Sequence, residues 1–201
     1  MRRTSSRTAG IESSGLVMSQ PIVIGIGGFT SEVGKTTLLC ELLRGFPGWE
    51  AIKVTRGHYR SCGKDPHACC VSHLLSEEPL VRSGREETYE TGKDTGRYWD
   101  AGAANVHWLI ATDAQVEKGI QEALARVKSA GVFVEGNSFS EFVQTDYFVM
   151  VRAAGSSKIK STARRALDRA NTIYVADGNT EHLSALIDDL RTSLTSCQRG
   201  S

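Results

Sequence analysis

The sequence predicts an α/β domain in which helices cover both faces of a mostly parallel sheet. Short, nearly continuous apolar runs, typical of strands buried on both faces, alternate along the chain with segments whose leucines recur at helical spacing. In addition, the first apolar run passes through a short glycine-containing turn directly into such a segment. Alternating strands and helices build parallel sheets, which bind ligands at the carboxyl ends of their strands.

The predicted elements follow one another in a regular order. Strands are predicted at 22–26, 51–54, 105–110, 131–136, 147–151 and 172–176. Helices are predicted at 35–44, 93–102, 113–127, 158–169 and 183–194, the third of them capped by Asp113. Between the second strand and the second helix, residues 57–92 lack periodicity, and we predict that they form an excursion from the core.

Length and composition limit the domain count and the classes of partner. A chain of 201 residues that is 40% hydrophobic can bury one substantial core, so we expect one domain at 21–196. The net charge of +1 excludes a global field that would recruit nucleic acid or an anionic membrane. No apolar run is long enough to span a bilayer, and we therefore expect a cytoplasmic protein.

The first twenty residues differ from the rest of the chain. They are rich in Ser, Thr and Arg, contain a single acid at Glu12 and show no periodicity, so we predict a disordered tail at 1–20. Arg-rich, acid-poor composition is also similar to that of a transit peptide. Met18 lies just before the first strand, however, and this favours an upstream extension or a misplaced start at Met1.

The first strand leads into a motif that predicts phosphate binding. In the loop that ends with Gly34, Lys35 and Thr36, backbone N–H groups would converge at a helix N-terminus, where the helix dipole favours negative charge. Lys35 would reach the β- and γ-phosphates, and Thr36 would hold Mg²⁺. The residues predicted to contact the nucleotide are Gly28, Thr30, Ser31, Glu32, Val33, Gly34, Lys35, Thr36 and Thr37.

The start of this loop departs from the standard P-loop pattern. The pattern places a glycine five positions before Gly34, where this chain has Phe29, with Gly28 one step earlier. Either the loop is one residue longer or its first glycine is dispensable. A turn that binds nothing is the alternative, but Gly-Lys-Thr-Thr at a strand-to-helix junction favours a P-loop NTPase fold.

A second acidic position supports this interpretation. Glu135 directly follows four residues of a predicted buried strand and precedes Gly136, a place that packing explains poorly for an acid. A P-loop enzyme needs a carboxylate near Mg²⁺. We predict that Glu135 and Thr36 are the magnesium residues, and that Glu135 and Lys35 are catalytic; an ordinary acid at a strand end is the alternative.

Two short stretches are similar to known families. The segment 28–36 resembles the phosphate loop of dethiobiotin synthetase, and Val134-Glu135-Gly136 resembles the corresponding strand end in that enzyme and its relatives. Gly92-Lys93-Asp94-Thr95, followed by Ala-Gly-Ala at 101–103, resembles the molybdopterin-guanine dinucleotide biosynthesis protein B family, which are small P-loop GTP-binding proteins. Most of 21–190 follows that family's order, including Ile52-Lys53 after the first helix.

The second resemblance implies further site residues and a function. It implies nucleotide contact by Lys93 and a phosphate or metal-shell role for Asp94, which we include among the catalytic candidates; a polar helix start is the alternative reading. It also implies GTP rather than ATP, with Mg²⁺, in an adaptor for molybdenum cofactor assembly. The residues themselves give no guanine signature, since 152–155 read Arg-Ala-Ala-Gly.

A cluster of soft ligands lies within the predicted excursion. Cys62, His67, Cys69 and Cys70 are close together in sequence, and cysteine and histidine are ligands that Zn²⁺ prefers. The spacing matches no standard zinc motif, and a reduced loop without metal is the alternative.

Three functions remain open from the sequence. The first is a GTP-binding adaptor with weak nucleoside triphosphatase activity, which assists a partner enzyme of cofactor biosynthesis. The second is an ATP-dependent ligase or kinase resembling dethiobiotin synthetase. The third is a metal-delivery GTPase whose Cys/His segment carries the cargo. A homodimer is compatible with each of them.

Overall fold

The computed structural model of the protein describes residues 20–57 and 71–197. The strands in this part of the chain are β1 (Ile22–Gly28), β2 (Glu50–Arg56), β3 (Leu80–Ser83), β4 (Val106–Ala111), β5 (Gly131–Glu135), β6 (Tyr147–Ala153) and β7 (Thr172–Ala176). They form one sheet in the order β3-β4-β2-β5-β1-β6-β7. All neighbouring strands are parallel except β3, which runs antiparallel to β4 at one edge.

Helices connect these strands. They are α1 (Lys35–Gly45), α2 (Arg85–Thr88), α3 (Asp94–Asp100), α4 (Val116–Ala125), α5 (Ser161–Leu167) and α6 (Thr180–Cys197). Short 3₁₀ turns are present at Ser72–Leu74, Asp113–Gln115 and Ser138–Glu141. Over residues 20–57 and 71–197, no helix combines the length and the apolar character needed to cross a membrane.

The two faces of the sheet have separate cores. On one face the buried side chains of α1, α3 and α6 pack together, with Leu42, Tyr98 and Leu190 all fully buried. On the other face α4 and α5 contribute buried Ile120 and Ala163. Because both faces are covered, the central strands are apolar on both sides. This confirms the predicted α/β class, with a mostly parallel sheet between helices.

Part of the predicted excursion belongs to the sheet. Within 57–92, β3 pairs with β4, its Val81 side chain is buried, and α2 follows directly after Gly84. The prediction of an excursion is therefore wrong for this segment. A strand of four residues between Pro79 and Gly84 is too short to show an alternating pattern, and its pairing partner comes later in the chain.

The start of α4 also differs from the prediction. Asp113 does not cap the helix, and its carboxylate accepts a hydrogen bond from the Arg56 guanidinium at 2.8 Å. Instead, the Gln115 side chain accepts a hydrogen bond from the Thr112 backbone N–H at 2.9 Å and closes a 3₁₀ turn before α4. The preference of Gln for this reciprocal capping position outweighs the acid beside it.

The topology places a crevice at the end of β1. The connection after β1 passes β5 to reach β2, whereas the connection after β5 passes β1 to reach β6. The chain therefore leaves neighbouring strands in opposite directions, and ligands bind parallel sheets at such a switch point. In this register Ile26 of β1 lies beside Glu135 of β5.

Candidate functional site

The loop between β1 and α1 turns sharply through two left-handed residues. Glu32 has φ 58° and Gly34 has φ 93°, and Glu32 is the one residue other than glycine with positive φ among 20–57 and 71–197. Alternation of left-handed and right-handed residues folds a loop so that successive N–H groups point into one concavity. A strained residue of this kind is also typical of functional loops.

The N-terminus of α1 has unpaired donors. The first hydrogen bond of the helix runs from the Leu38 N–H to the Gly34 carbonyl at 2.9 Å, so the N–H groups of Lys35, Thr36 and Thr37 have no partner within the helix. The first turn of α1 carries no acidic residue. These donors and the helix dipole together favour an anion at this point.

Gly28 is the glycine over which the Lys35 side chain passes. A Cβ atom on Gly28 would lie 2.7 Å from Lys35 Cδ and 2.8 Å from Val33 Cγ2. The Asn137 side chain fixes both backbone groups of Gly28, since it accepts from the N–H at 2.8 Å and donates to the carbonyl at 2.9 Å. A side chain at position 28 would therefore displace Lys35.

Phe29 extends the strand pairing and does not take part in the turn. Its N–H donates to the Val151 carbonyl and its carbonyl accepts from the Lys160 N–H, both at 2.9 Å. The turn therefore begins after Phe29, which favours the longer loop over a dispensable first glycine. The Lys160 ammonium also donates to the Ser31 hydroxyl, so a second cation lies over the loop.

The carboxylate of Glu135 lies at the centre of a buried polar network. Its Oε2 accepts hydrogen bonds from the Thr36 hydroxyl at 2.9 Å and from the Tyr98 hydroxyl, and its Oε1 lies 2.5 Å from Lys53 Nζ. The Glu135 side chain is only 2% exposed. Both of its oxygens are thus satisfied, as a buried charge requires.

Lys53 joins this network to the start of α3. Its Nζ lies 2.5 Å from Asp94 Oδ2 as well as from Glu135. Lys53 and Glu135 are register partners on the neighbouring strands β2 and β5, so the sheet itself aligns them. The Arg97 guanidinium of α3 also donates to the Thr37 hydroxyl at 3.1 Å. The site thereby brings the P-loop, β2, β5 and α3 together.

The electrostatics of the site shift the pKa values of Asp94, Lys53 and Tyr98. Burial alone would raise the pKa of Asp94, but the Lys53 ammonium outweighs this and lowers it. Burial alone would lower the pKa of Lys53, and the charges of Glu135 and Asp94 instead raise it. Burial and the Glu135 carboxylate raise the pKa of Tyr98 well above its usual range, so its hydroxyl remains a donor.

Lys35 differs from Lys53 in its surroundings. Burial lowers the pKa of Lys35 below its usual value, although Glu135 lies near enough to oppose the change. Within the part of the chain that the structure describes, Lys35 makes no ion pair. A half-buried ammonium beside free N–H groups would be stabilised by an anionic ligand.

The donor atoms of the site fit Mg²⁺. Thr36, Asp94 and Glu135 offer a hydroxyl and two carboxylates, which are hard oxygen ligands. Across residues 20–57 and 71–197, no group of three or more His, Cys, Asp or Glu side chains could hold a metal. Two carboxylates suit a cation that takes its remaining ligands from water and phosphate, as Mg²⁺ usually does.

Other predicted residues lie outside this network. Lys93 immediately precedes α3 and its side chain is exposed, so its contact with a nucleotide stays a prediction. The proposed zinc ligands Cys62, His67, Cys69 and Cys70 lie outside the described residues. The predicted tail at 1–20 also lies outside them, except for Gln20.

Sequence reasoning missed several residues of the site, among them Lys53, Tyr98 and Asn137. Lys53 interrupts the apolar residues in the middle of β2, and this position was a usable signal. Tyr98 follows Asp94 by four residues, so the two side chains share a face of α3. Asn137 follows the strand end by two residues and gives no signal of its own, because its partner Gly28 is 109 positions away.

No protein-family model matches the chain, and no curated protein matches it. Among solved structures, it is similar to the "apo" form of LpxK from Aquifex aeolicus in complex with ATP. The identity is 16% and the TM-score is 0.48, and the alignment covers 78% of this chain and 48% of that one. The chain thus spans about half the length of LpxK, and the assignment of a ligand rests on the residues of the site.

Proposed function

We propose that the protein binds a nucleoside triphosphate with Mg²⁺ at the loop 28–37 and hydrolyses it slowly. The observation that carries this proposal is the position of Lys35, a half-buried cation without an ion pair among the described residues, beside the free N–H groups of α1. Both lie at the switch point of a parallel sheet. A triphosphate would supply the negative charge that this arrangement lacks.

Each residue of the site has a separate task in this proposal. Lys35 and the loop N–H groups hold the β- and γ-phosphates, while Thr36, Glu135 and Asp94 hold Mg²⁺ directly or through water. When bound, Mg²⁺ neutralises charge on the phosphates. The Tyr98 hydroxyl donates a hydrogen bond to the Glu135 carboxylate and fixes its orientation. Catalysis would then come from positioning and electrostatic stabilisation.

The same geometry explains why slow turnover is expected. Asp94 is 41% exposed in its side chain and is the acid best placed to meet an attacking water or hydroxyl. Lys53 lowers the pKa of Asp94 in the nucleotide-free site, and Mg²⁺ would lower it in the complex, so Asp94 is a weak base near neutral pH in both states. Strong hydrolysis would require a further group, which a partner or second substrate could supply.

The finer proposal is a GTP-binding adaptor of molybdenum cofactor assembly. Its support is the resemblance of 92–95 to the molybdopterin-guanine dinucleotide biosynthesis protein B family, together with the position of Asp94 beside Thr36 and Glu135 in the site. The adaptor would use GTP and assist a partner enzyme. The resemblance of 28–36 to dethiobiotin synthetase supports a second candidate, an ATP-dependent ligase or kinase that uses the same site.

Nucleotide titration and turnover of matched variants test these proposals. Full-length protein is titrated with GTP and with ATP in the presence of Mg²⁺, and the same is done for Glu135→Gln. We expect binding to persist in Glu135→Gln while hydrolysis slows by about tenfold or more, because the metal loses a charged partner. Glu50→Gln is the control, since Glu50 is equally buried but lies at the opposite end of the sheet.

The outcomes separate the candidates. Preference for GTP supports the adaptor, and preference for ATP supports the ligase or kinase. Equal turnover in Glu135→Gln and wild type would show that the magnesium carboxylate lies elsewhere. Failure of both nucleotides to bind would refute the function as a whole.

A further inference from the structure

We propose that Lys53 is an internal counter-cation, whose ammonium takes the place of a divalent metal between Glu135 and Asp94 until a triphosphate binds. This inference rests on the proposed function and deepens it, because it makes metal binding conditional on nucleotide binding. No role of this kind follows from the sequence position of Lys53, which lies within an apolar strand.

The first argument is geometric. Lys53 Nζ lies 2.5 Å from Glu135 Oε1 and 2.5 Å from Asp94 Oδ2, so these oxygens are separated by no more than twice that distance. A Mg²⁺ ion binds its oxygen ligands at about 2.1 Å and would span a similar gap. The ammonium and a metal ion would therefore compete for the same two carboxylates.

The second argument is the balance of charge. Without ligand, four cations face the anions Glu135 and Asp94, so the site already has an excess of positive charge; the cations are Lys35, Lys53, Arg97 and Lys160. A divalent cation entering alone would add two positive charges beside these cations, in surroundings that screen them poorly. A triphosphate brings about four negative charges, and the metal can then enter without an excess of positive charge.

The third argument concerns which group can move. Glu135 is 2% exposed and receives hydrogen bonds from both Thr36 and Tyr98, so it is fixed. The Lys53 side chain is 17% exposed and carries its ammonium on a flexible chain of methylene groups, and the Asp94 side chain beside it is 41% exposed. Displacement of the ammonium toward the open side of the site thus needs no change in the buried carboxylate.

The test measures metal binding without activity. Mn²⁺ binding to the full chain is followed by electron paramagnetic resonance, with and without a non-hydrolysable triphosphate. We expect wild type to bind Mn²⁺ tightly only with the nucleotide, and Lys53→Met to bind one Mn²⁺ without it, with affinity raised by about tenfold or more. Lys53→Arg keeps the positive charge and should behave as wild type does.

Further variants distinguish the predicted gain in Mn²⁺ affinity from an effect of lost folding. Lys53→Gln is neutral but still donates a hydrogen bond, so it should gain Mn²⁺ affinity as Lys53→Met does, and Mn²⁺ should raise the unfolding temperature of both. The double variant Lys53→Met with Glu135→Gln should lose the gain, because one of the two carboxylates is gone.

The results distinguish this inference from the proposed function. If wild type binds no triphosphate, the proposed function fails. If it binds triphosphate, but neither Lys53→Met nor Lys53→Gln gains Mn²⁺ affinity without nucleotide, the counter-cation role is overturned. Equally tight Mn²⁺ binding by nucleotide-free wild type and Lys53→Met would overturn it as well.

Discussion

The Asn137 side chain clamps both backbone groups of Gly28, with its oxygen 2.8 Å from the N–H and its nitrogen 2.9 Å from the carbonyl. This pair joins the end of β1, where the phosphate loop begins, to the segment that follows Glu135. The Asn137 side-chain amide thus connects the phosphate loop to the segment after Glu135. We expect loss of this amide to affect both stability and nucleotide binding.

Replacement of Asn137 tests this connection. Asn137→Ala should lower the free energy of unfolding by about 1–3 kcal/mol, because it leaves the Gly28 groups without partners, and it should also weaken triphosphate binding. Asn171→Ala is the control, since Asn171 accepts from the Phe148 N–H at the opposite ends of the strands. Chemical denaturation should show lower stability in both variants. Calorimetric titration should show weaker triphosphate binding only in Asn137→Ala.

The length of the phosphate loop gives a second prediction. Gly28→Ala should reduce triphosphate affinity by about tenfold, because the added methyl group would meet Lys35 Cδ at 2.7 Å and push the side chain aside. Phe29→Leu should have a smaller effect, because Phe29 contributes backbone pairing and partial packing. If titration calorimetry shows a larger loss of triphosphate affinity for Phe29→Leu than for Gly28→Ala, the interpretation of a longer loop is contradicted.

Tyr98 gives a prediction that separates binding from catalysis. Tyr98→Phe removes the hydroxyl that donates to Glu135 and little else, so we expect near-normal nucleotide affinity with turnover lowered by roughly threefold to thirtyfold. Tyr147→Phe is the matched control, because the Tyr147 hydroxyl donates to Asp189 on α6. If steady-state kinetics show equal turnover in Tyr98→Phe and Tyr147→Phe, the Tyr98 hydroxyl has no role in turnover.

A buried pair at the other end of the sheet predicts a pH effect on stability. Burial alone would raise the pKa of Glu50, but hydrogen bonds from His107 and from the Lys128 and Ser129 N–H groups outweigh burial and lower it. A carboxyl with a lowered folded-state pKa stabilises the protein above its unfolded-state pKa. That contribution is lost as the pH falls through the folded value.

Glu50→Gln isolates this contribution. Wild type should lose more stability than the variant as the pH falls from about 5 toward 3, so the difference between their denaturation free energies should shrink. Glu122→Gln is the control, since Glu122 pairs with Arg126 at the surface. A difference that stays constant across this range would contradict the assigned role of Glu50.

Local patterns were sufficient for most of the fold. The strand and helix around Gly34 and Lys35 could be predicted, because the apolar run, the turn and the leucine spacing all lie within about twenty residues. Glu135 was identifiable for the same reason, as an acid directly after an apolar run. In contrast, β3 has only four residues and is defined by its partner β4, which follows it by more than twenty residues.

The network around Glu135 depends on contacts that local patterns do not contain. Lys53 and Glu135 are 82 positions apart, and Tyr98 and Glu135 are 37 apart. Their contact follows from the sheet order, in which β5 lies between β1 and β2. A parallel sheet alone does not specify that order, so the sequence could indicate each residue's position on its element but not its partner.

The most direct test of the account is calorimetric titration of wild type and Lys35→Ala with GTP and ATP in the presence of Mg²⁺. We expect wild type to bind one triphosphate per chain, and Lys35→Ala to lose about a hundredfold or more in affinity with its fold unchanged by circular dichroism, because the cation that pairs with the phosphates is gone. Equal affinity of wild type and Lys35→Ala for either triphosphate would contradict nucleotide binding at this loop.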